Sequence, residues 1–291
     1  MKRTIEISAS FTGTIPTGSF ENEKPFYSVK EIIELPEDAY WENTDIEKRQ
    51  KELHDMCYSQ FKKQAEVSYQ ERIAKQYSGI RWYDGANGLK YPSVTSITSL
   101  DKDFHVSPEE LSQYAARGTC IHKQAEIFLL TGEWKEMKDI AEISTEYITV
   151  VQGSLGLSLD DVDFRAFYKA YPFKVIEVEK TVLNDEHRYA GRLDILCIIE
   201  STNKGKWDKI DGVVYDETTI LDIKTGATLD KTSGLTQQAA YASGVIKQIG
   251  LIHLNKDVKQ GFSAPTITTN VPRYWDLFYK KLLVFKGRFG L

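Results

Sequence analysis

At 291 residues, with 41% hydrophobic and 12% aromatic side chains, the chain suffices for one large domain or two modest ones around a sizeable core. Its net charge of −5 excludes a surface that coats nucleic acid through bulk positive charge, although a local basic groove remains compatible with it. Cys57, Cys120 and Cys197 stand far apart without a Cys-x-x-Cys pair, which argues against zinc and iron–sulfur sites of the usual spacing. The odd cysteine count, with no signal peptide and no apolar run long enough for a membrane span, leads us to expect a cytoplasmic protein without membrane contact.

Residues 1–76 read as a small accessory ββα domain. Ile5, Ile7 and Phe11 alternate with polar residues as a half-exposed strand, Gly13, Pro16, Gly18 and Pro25 mark a turn or hairpin connection, and Phe26 to Leu35 is a second strand. From Asp45 to Gln76 a long charged helix carries a broken apolar stripe of Ile46, Leu53, Cys57, Phe61, Gln64 and Ser68. No catalytic constellation stands out here. The unit is either structural or a module that binds substrate or a partner.

Residues 77–291 read as the second domain. Ile80 to Tyr91 is a hairpin with two glycines, Gly85 and Gly88, in its connection, and Ser93 or Thr95 is placed to cap a short helix after Pro92. A helix is predicted over 108–131: Ser107 as N-cap with Glu110 three residues on, Pro108 at the first position, Gly132 as the stop. Leu111, Ala115, Gly118, His122, Ala125 and Leu129 form its expected inward stripe. That placement makes His122 either a core histidine or a ligand, and Glu126, one turn on, a further ligand or a salt-bridge partner. Arg117 is near enough to reach a phosphate.

Residues 133–172 read as helical with a break at 153–156. Val175 to Val182 is a strand, Asn184 to His187 its turn, and 189–199 the antiparallel return. Glu177, Glu179 and Thr181 share a face, with Glu179 either beside a site or simply at a solvent-facing edge. A charged insertion precedes a second buried strand, 218–224. A Ser/Thr/Gly loop then leads into a helix holding Gln237 and Tyr241 at i,i+4, followed by a short strand at 251–254 and a closing amphipathic helix at 275–285. His253 in that short strand reads as structural. Seven Lys/Arg against two Asp/Glu in 255–291 make the C-terminal stretch basic, either a polyanion-facing edge or a solvated tail.

The organising stretch runs from Gly191 to Tyr241. Strand alternation turns Asp222 and Lys224 to one side, while Asp194 lies mid-strand on the neighbouring run. An acid and a lysine on one face of an apolar strand are costly to bury unless they are paired or hold a metal.

Gly191-Arg-Leu-Asp194, Asp222-Ile-Lys224 and Gln237-x-x-x-Tyr241, with His122 on an upstream helix, resemble the RecB-like branch of the PD-(D/E)XK nucleases. Arg117-Gly118 to His122 is similar to that branch's Gly…His segment. Tyr91-Pro-Ser-Val-Thr-Ser-Ile97 looks like a segment of its phage exonucleases and mitochondrial genome maintenance exonucleases. The likeness spans roughly residues 80 to 250.

It implies an α/β (α+β) fold with a restriction-endonuclease-like mixed central sheet flanked by helices. It also implies a metal-dependent hydrolase of DNA, an exonuclease by preference, acting in DNA repair or recombination with DNA and phage or host recombination proteins as partners. In that pattern Asp194, Asp222 and the backbone carbonyl of Ile223 hold Mg²⁺ or Mn²⁺ together with His122, with Glu179 and Glu126 as additional candidates. Lys224 serves catalysis directly, and Gln237 and Tyr241 support it. Apart from the resemblance, an acidic protein must bind DNA through a local patch, for which Arg117, near His122, and Arg192, two positions before Asp194, are candidates; Arg192 could instead merely pair with a carboxylate such as Glu179. Three cysteines cannot hold the four-cysteine iron–sulfur cluster of some members, so no such cluster is expected. Two other readings remain: a nucleic-acid-binding protein with this fold but no catalysis, and an unrelated α/β binding module whose charges are ordinary ion pairs.

Overall fold

A computed structural model describes residues 3–16, 22–35, 43–77, 79–100 and 106–291. The chain divides into two compact units, residues 1–91 and 92–290.

In the first unit, strands β1 (Arg3–Thr12) and β4 (Phe26–Leu35) pair antiparallel along their whole length, from Arg3↔Leu35 to Thr12↔Phe26. Between them the two-residue strands β2 (Ile15–Pro16) and β3 (Asn22–Glu23) form the expected hairpin connection, whose Gly18 lies outside the described residues. Helix α1 (Asn43–Gln76) packs on this sheet. Its stripe is buried at Leu53, Cys57 and Ser68, and the Phe11 ring meets Tyr58 and Phe61 at 5.0 Å each.

The hairpin of β5 (Trp82–Asp84) and β6 (Lys90–Pro92) was expected in the second domain, but the division falls between Tyr91 and Pro92. The reason lies in α1. Gln70 Oε1 accepts the Lys90 backbone N–H at 2.8 Å, which ties the hairpin to that helix.

The second unit is mixed α/β. Its sheet has five strands, β7 (Lys174–Asn184), β8 (Tyr189–Ile198), β9 (Thr218–Lys224), β10 (Gln248–His253) and β11 (Thr266–Thr268), in the order β11-β10-β9-β8-β7. β9 and β10 are parallel and every other pair is antiparallel. β8, β9 and β10 are apolar on both faces because helices cover both; Ile195, Cys197, Ile220, Leu221, Ile249 and Leu251 are almost fully buried. Among the described residues the unit also holds α2 (Val94–Thr98), α3 (Pro108–Thr131), α4 (Ser144–Val151), α5 (Phe164–Ala170), α6 (Lys231–Ala242) and α7 (Val271–Phe289).

The expected start of α3 is present in full. Ser107 Oγ accepts the Glu110 N–H at 3.2 Å, and the Glu110 carboxylate accepts the Ser107 N–H at 2.8 Å. Gly132 closes the helix in the left-handed region at φ 74°.

Three local expectations change. Residues 133–172 hold only short 3₁₀ turns and the helices α4 and α5, because their apolar residues serve several separate contacts instead of one helical stripe. The polar residues before Leu235 are the first turn of α6, capped by Asp230, whose carboxylate accepts the Ser233 N–H. Finally, the buried face of α3 is Ala116, Arg117, Cys120, Ile121, Gln124 and Ala125, while Ala115 is exposed. The helix is rotated from its expected stripe, and His122 lies on the flank of the buried face.

No helix among the described residues is long and apolar enough to cross a membrane.

A candidate metal centre at the divergence of two strands

The paired residues of β8 and β9 run from Ile198↔Thr218 to Ile195↔Leu221 and stop there. The next residues along are Asp194 and Asp222. In place of a further main-chain bond, Asp194 Oδ2 accepts the Ile223 N–H at 2.8 Å. The strands part at this point, and the apolar sequence gives way to two acids and a lysine.

Strand β7 lies on the other side of β8. Its pairs Val178↔Ile195 and Lys180↔Leu193 place Glu179 opposite Asp194. Glu179 sits in the left-handed region at φ 54°, a conformation that costs a side-chain-bearing residue about 1–3 kcal/mol and persists only where its surroundings enforce it. Glu177, expected on the same face, pairs instead with Lys180 and is exposed. From α3, His122 Nδ1 approaches Asp194 Oδ2 to 3.3 Å. One ligand atom each from His122, Glu179 and Asp194 lie within 4.8 Å of one another, so this group could hold a metal ion.

Asp222 and Lys224 form the adjoining half. The Lys224 ammonium lies 2.7 Å from the buried Asp222 Oδ2 as an ion pair. Lys224 Nζ also donates to Gln237 Oε1 at 3.3 Å, and Gln237 Nε2 donates at 3.3 Å to both Tyr241 Oη and Thr95 Oγ1. Thr95 was read only as a possible cap. Its link to Gln237 has no local sequence signal, because α2 and α6 are far apart along the chain. Capping falls to Ser93, whose Oγ accepts the Ser96 N–H at 3.0 Å.

The charges are strongly coupled. Burial alone would lower the basicity of His122, but Asp194 and Asp222 outweigh it and push it up to about 9. Burial likewise opposes ionisation of Asp194, yet His122, the Ile223 N–H and Lys224 hold its carboxyl below the usual range. Asp222 moves up, through burial and the nearby Asp194, against the pull of Lys224. Glu179 also moves up, by burial and Asp194. Against its own burial, Lys224 is raised by Asp222 and Asp194. A metal bound here would take the place of the proton on His122.

Arg117 does not face a phosphate. It is buried, its Nε donates to Ser158 O at 2.8 Å, its Nη1 to Thr225 O at 2.9 Å, and its Nη2 pairs with Asp161 Oδ1 at 2.6 Å. Rotation of α3 turned it inward, where it braces the turn after Lys224. His253 braces the same turn, with Nε2 donating to Gly226 O at 2.7 Å. Glu126 pairs with Lys123 at 3.0 Å and is outside the metal group, the salt-bridge alternative of its two readings. Arg192 is exposed, and its Nε lies 2.5 Å from Glu179 Oε2. A Cβ at Gly118 would make an ordinary 3.6 Å contact with Thr225 Oγ1, whereas one at Gly191 would lie 2.5 Å from Tyr241 Cε1.

A cavity of about 620 Å³, lined by His187, Gln248 and Trp275 among others, takes in none of these site residues. No protein-family model matches the chain, and a search of curated proteins finds no match.

Proposed function

We propose that the chain is a metal-dependent deoxyribonuclease, by preference an exonuclease, of the RecB-like PD-(D/E)XK kind. The observation that carries this is the convergence of His122, Glu179, Asp194, Asp222 and Lys224 where β8 and β9 diverge. The order α3, three antiparallel strands, α6 and a parallel strand supports the restriction-endonuclease-like arrangement.

Asp194, Glu179 and His122 would hold a divalent ion, with Asp222 and the Ile223 carbonyl completing the set. The carboxylate oxygens favour Mg²⁺ or Mn²⁺, and the imidazole is tolerated by Mn²⁺. When bound, the ion supplies an acidified water and neutralises charge on the scissile phosphate.

The remaining work belongs to the chain. Lys224, kept charged by Asp222, holds its proton at Nζ and stabilises negative charge as it develops on the phosphate oxygens, an effect worth about 3 kcal/mol for a well-placed group. Gln237 fixes the Lys224 ammonium through Oε1 and is itself held by Thr95 and Tyr241, so the catalytic cation is oriented before substrate arrives. Arg192 and the basic outer face of α7, with Arg273, Lys280 and Arg288 exposed, supply the local positive surface that an acidic protein needs to bind DNA.

The test is a time course on end-labelled linear and closed circular DNA with Mg²⁺, Mn²⁺ or EDTA. The reading expects metal-dependent loss of linear DNA from its ends, abolished in Asp222→Asn. Cleavage of the circle would make the enzyme an endonuclease, and an absence of metal-dependent cleavage on either substrate would overturn the proposal.

A further inference from the structure

Glu179 belongs to two constellations at once. It is one of the three residues that could hold a metal, and it is the ion-pair partner of Arg192 at 2.5 Å. A carboxylate oxygen paired with a guanidinium is a weaker metal ligand, because the guanidinium competes with the ion for its negative charge. The two partners differ in access: the Glu179 side chain is 15% exposed and that of Arg192 is 56% exposed. The guanidinium therefore forms the solvent-side cover of the carboxylate. The strained backbone at Glu179, φ 54°, holds the carboxylate toward Asp194 on an edge strand. A relaxed strand geometry would not fix it there, so the strain favours a role at the site over a surface ion pair.

We propose that Arg192 is an exchangeable internal cation that covers Glu179 until a substrate phosphate draws it away, so that phosphate binding and metal binding at this site reinforce each other. This rests on the reading of His122, Glu179 and Asp194 as a metal site. Arg192 has a second anion to go to, since a phosphate arriving beside the centre offers the bidentate geometry that guanidinium prefers. When it swings to the phosphate, Glu179 keeps its position through the backbone and becomes free to coordinate. Coupling of this kind is reciprocal: whatever factor phosphate contributes to metal affinity, metal contributes to phosphate affinity. A site so built loads its metal fully only when substrate is present.

The test is calorimetric titration with Mn²⁺ alone, on the wild type, Arg192→Ala, Glu179→Gln and the double variant. Removing Arg192 should tighten Mn²⁺ binding about five- to tenfold, within the usual range of site coupling. In the Glu179→Gln background the same substitution should change affinity less than about twofold, because the cover then has nothing to cover. Equal tightening in both backgrounds would mean that Arg192 acts only by its charge through space and would overturn the proposal, as would unchanged or weaker binding in Arg192→Ala. Asp194→Asn separates the two levels of inference. If Mn²⁺ binds it as it binds the wild type, or if neither the wild type nor Arg192→Ala binds Mn²⁺, the metal site itself is wrong and the cover falls with it. Arg192 is exposed, and thermal unfolding of Arg192→Ala checks that the fold is retained.

Discussion

Asp194 Oδ2 accepts the Ile223 backbone N–H at 2.8 Å, so one carboxylate both terminates a strand pairing and heads the candidate metal centre. The two roles separate by substitution. Asp194→Asn keeps an acceptor for Ile223 and should fold normally while losing metal binding. Asp194→Ala leaves a buried donor unpaired as well and should lose about 1–3 kcal/mol of stability, read as a shift in the urea midpoint. Equal stability of the two variants would show that the Ile223 contact is incidental.

Gly191 bears on the same site from behind. A Cβ there would lie 2.5 Å from Tyr241 Cε1, inside the ring's contact distance, with both residues buried. Gly191→Ala should cost about 1–3 kcal/mol through overpacking and displace Tyr241 from Gln237. In a Tyr241→Ala background, where the ring is gone, the same substitution should cost clearly less, measured by thermal unfolding. Additive effects would contradict direct contact.

Arg117 was expected at the DNA and lies in the protein. Its side chain is 8% exposed and pairs with Asp161. Breaking a buried ion pair by removing one partner typically costs about 3–5 kcal/mol. Arg117→Ala should therefore unfold at markedly lower urea. Any variant that folds, such as Arg117→Lys, should keep the salt dependence of DNA binding unchanged. A slope reduced by about 0.7–0.9 would instead mean a lost phosphate contact.

Tyr189 provides a pH test remote from the acids. Burial raises its phenol to about 12, and its hydroxyl donates to Ala240 O at 2.7 Å. A folded-state value above the unfolded one, ordinarily about 10, means stability present below pH 10 and lost as pH rises toward 12. The wild type should lose about 2–3 kcal/mol across that window relative to Tyr189→Phe, which lacks the ionisable group. Parallel curves for the two proteins would refute the assignment.

The legible parts of the sequence were those where local chemistry decides. The capping box at Ser107 and Glu110, the stop at Gly132 and the bounds of β9 needed only nearest neighbours. Asp194, Asp222 and Lys224 were readable because charged residues inside apolar strands have few ways to be satisfied. The rotation of α3 was not readable: small residues such as Ala115 and Gly118 fit either face of a helix, and the neighbouring elements chose Ala116, Cys120 and Ile121. The same rotation turned Arg117 inward and left His122 on the flank, where it meets Asp194. The kink at Glu179 and the bond from Gln237 to Thr95 depend on partners distant in the chain, which no local pattern encodes.

The central claim is that Lys224 acts on the substrate beside a metal centre that it does not itself build. Calorimetric Mn²⁺ titration of Lys224→Ala, run alongside single-turnover cleavage of end-labelled DNA, tests it most directly. The account predicts retained metal binding with cleavage slowed by about 10²–10³. Cleavage at the wild-type rate by the folded variant would contradict it.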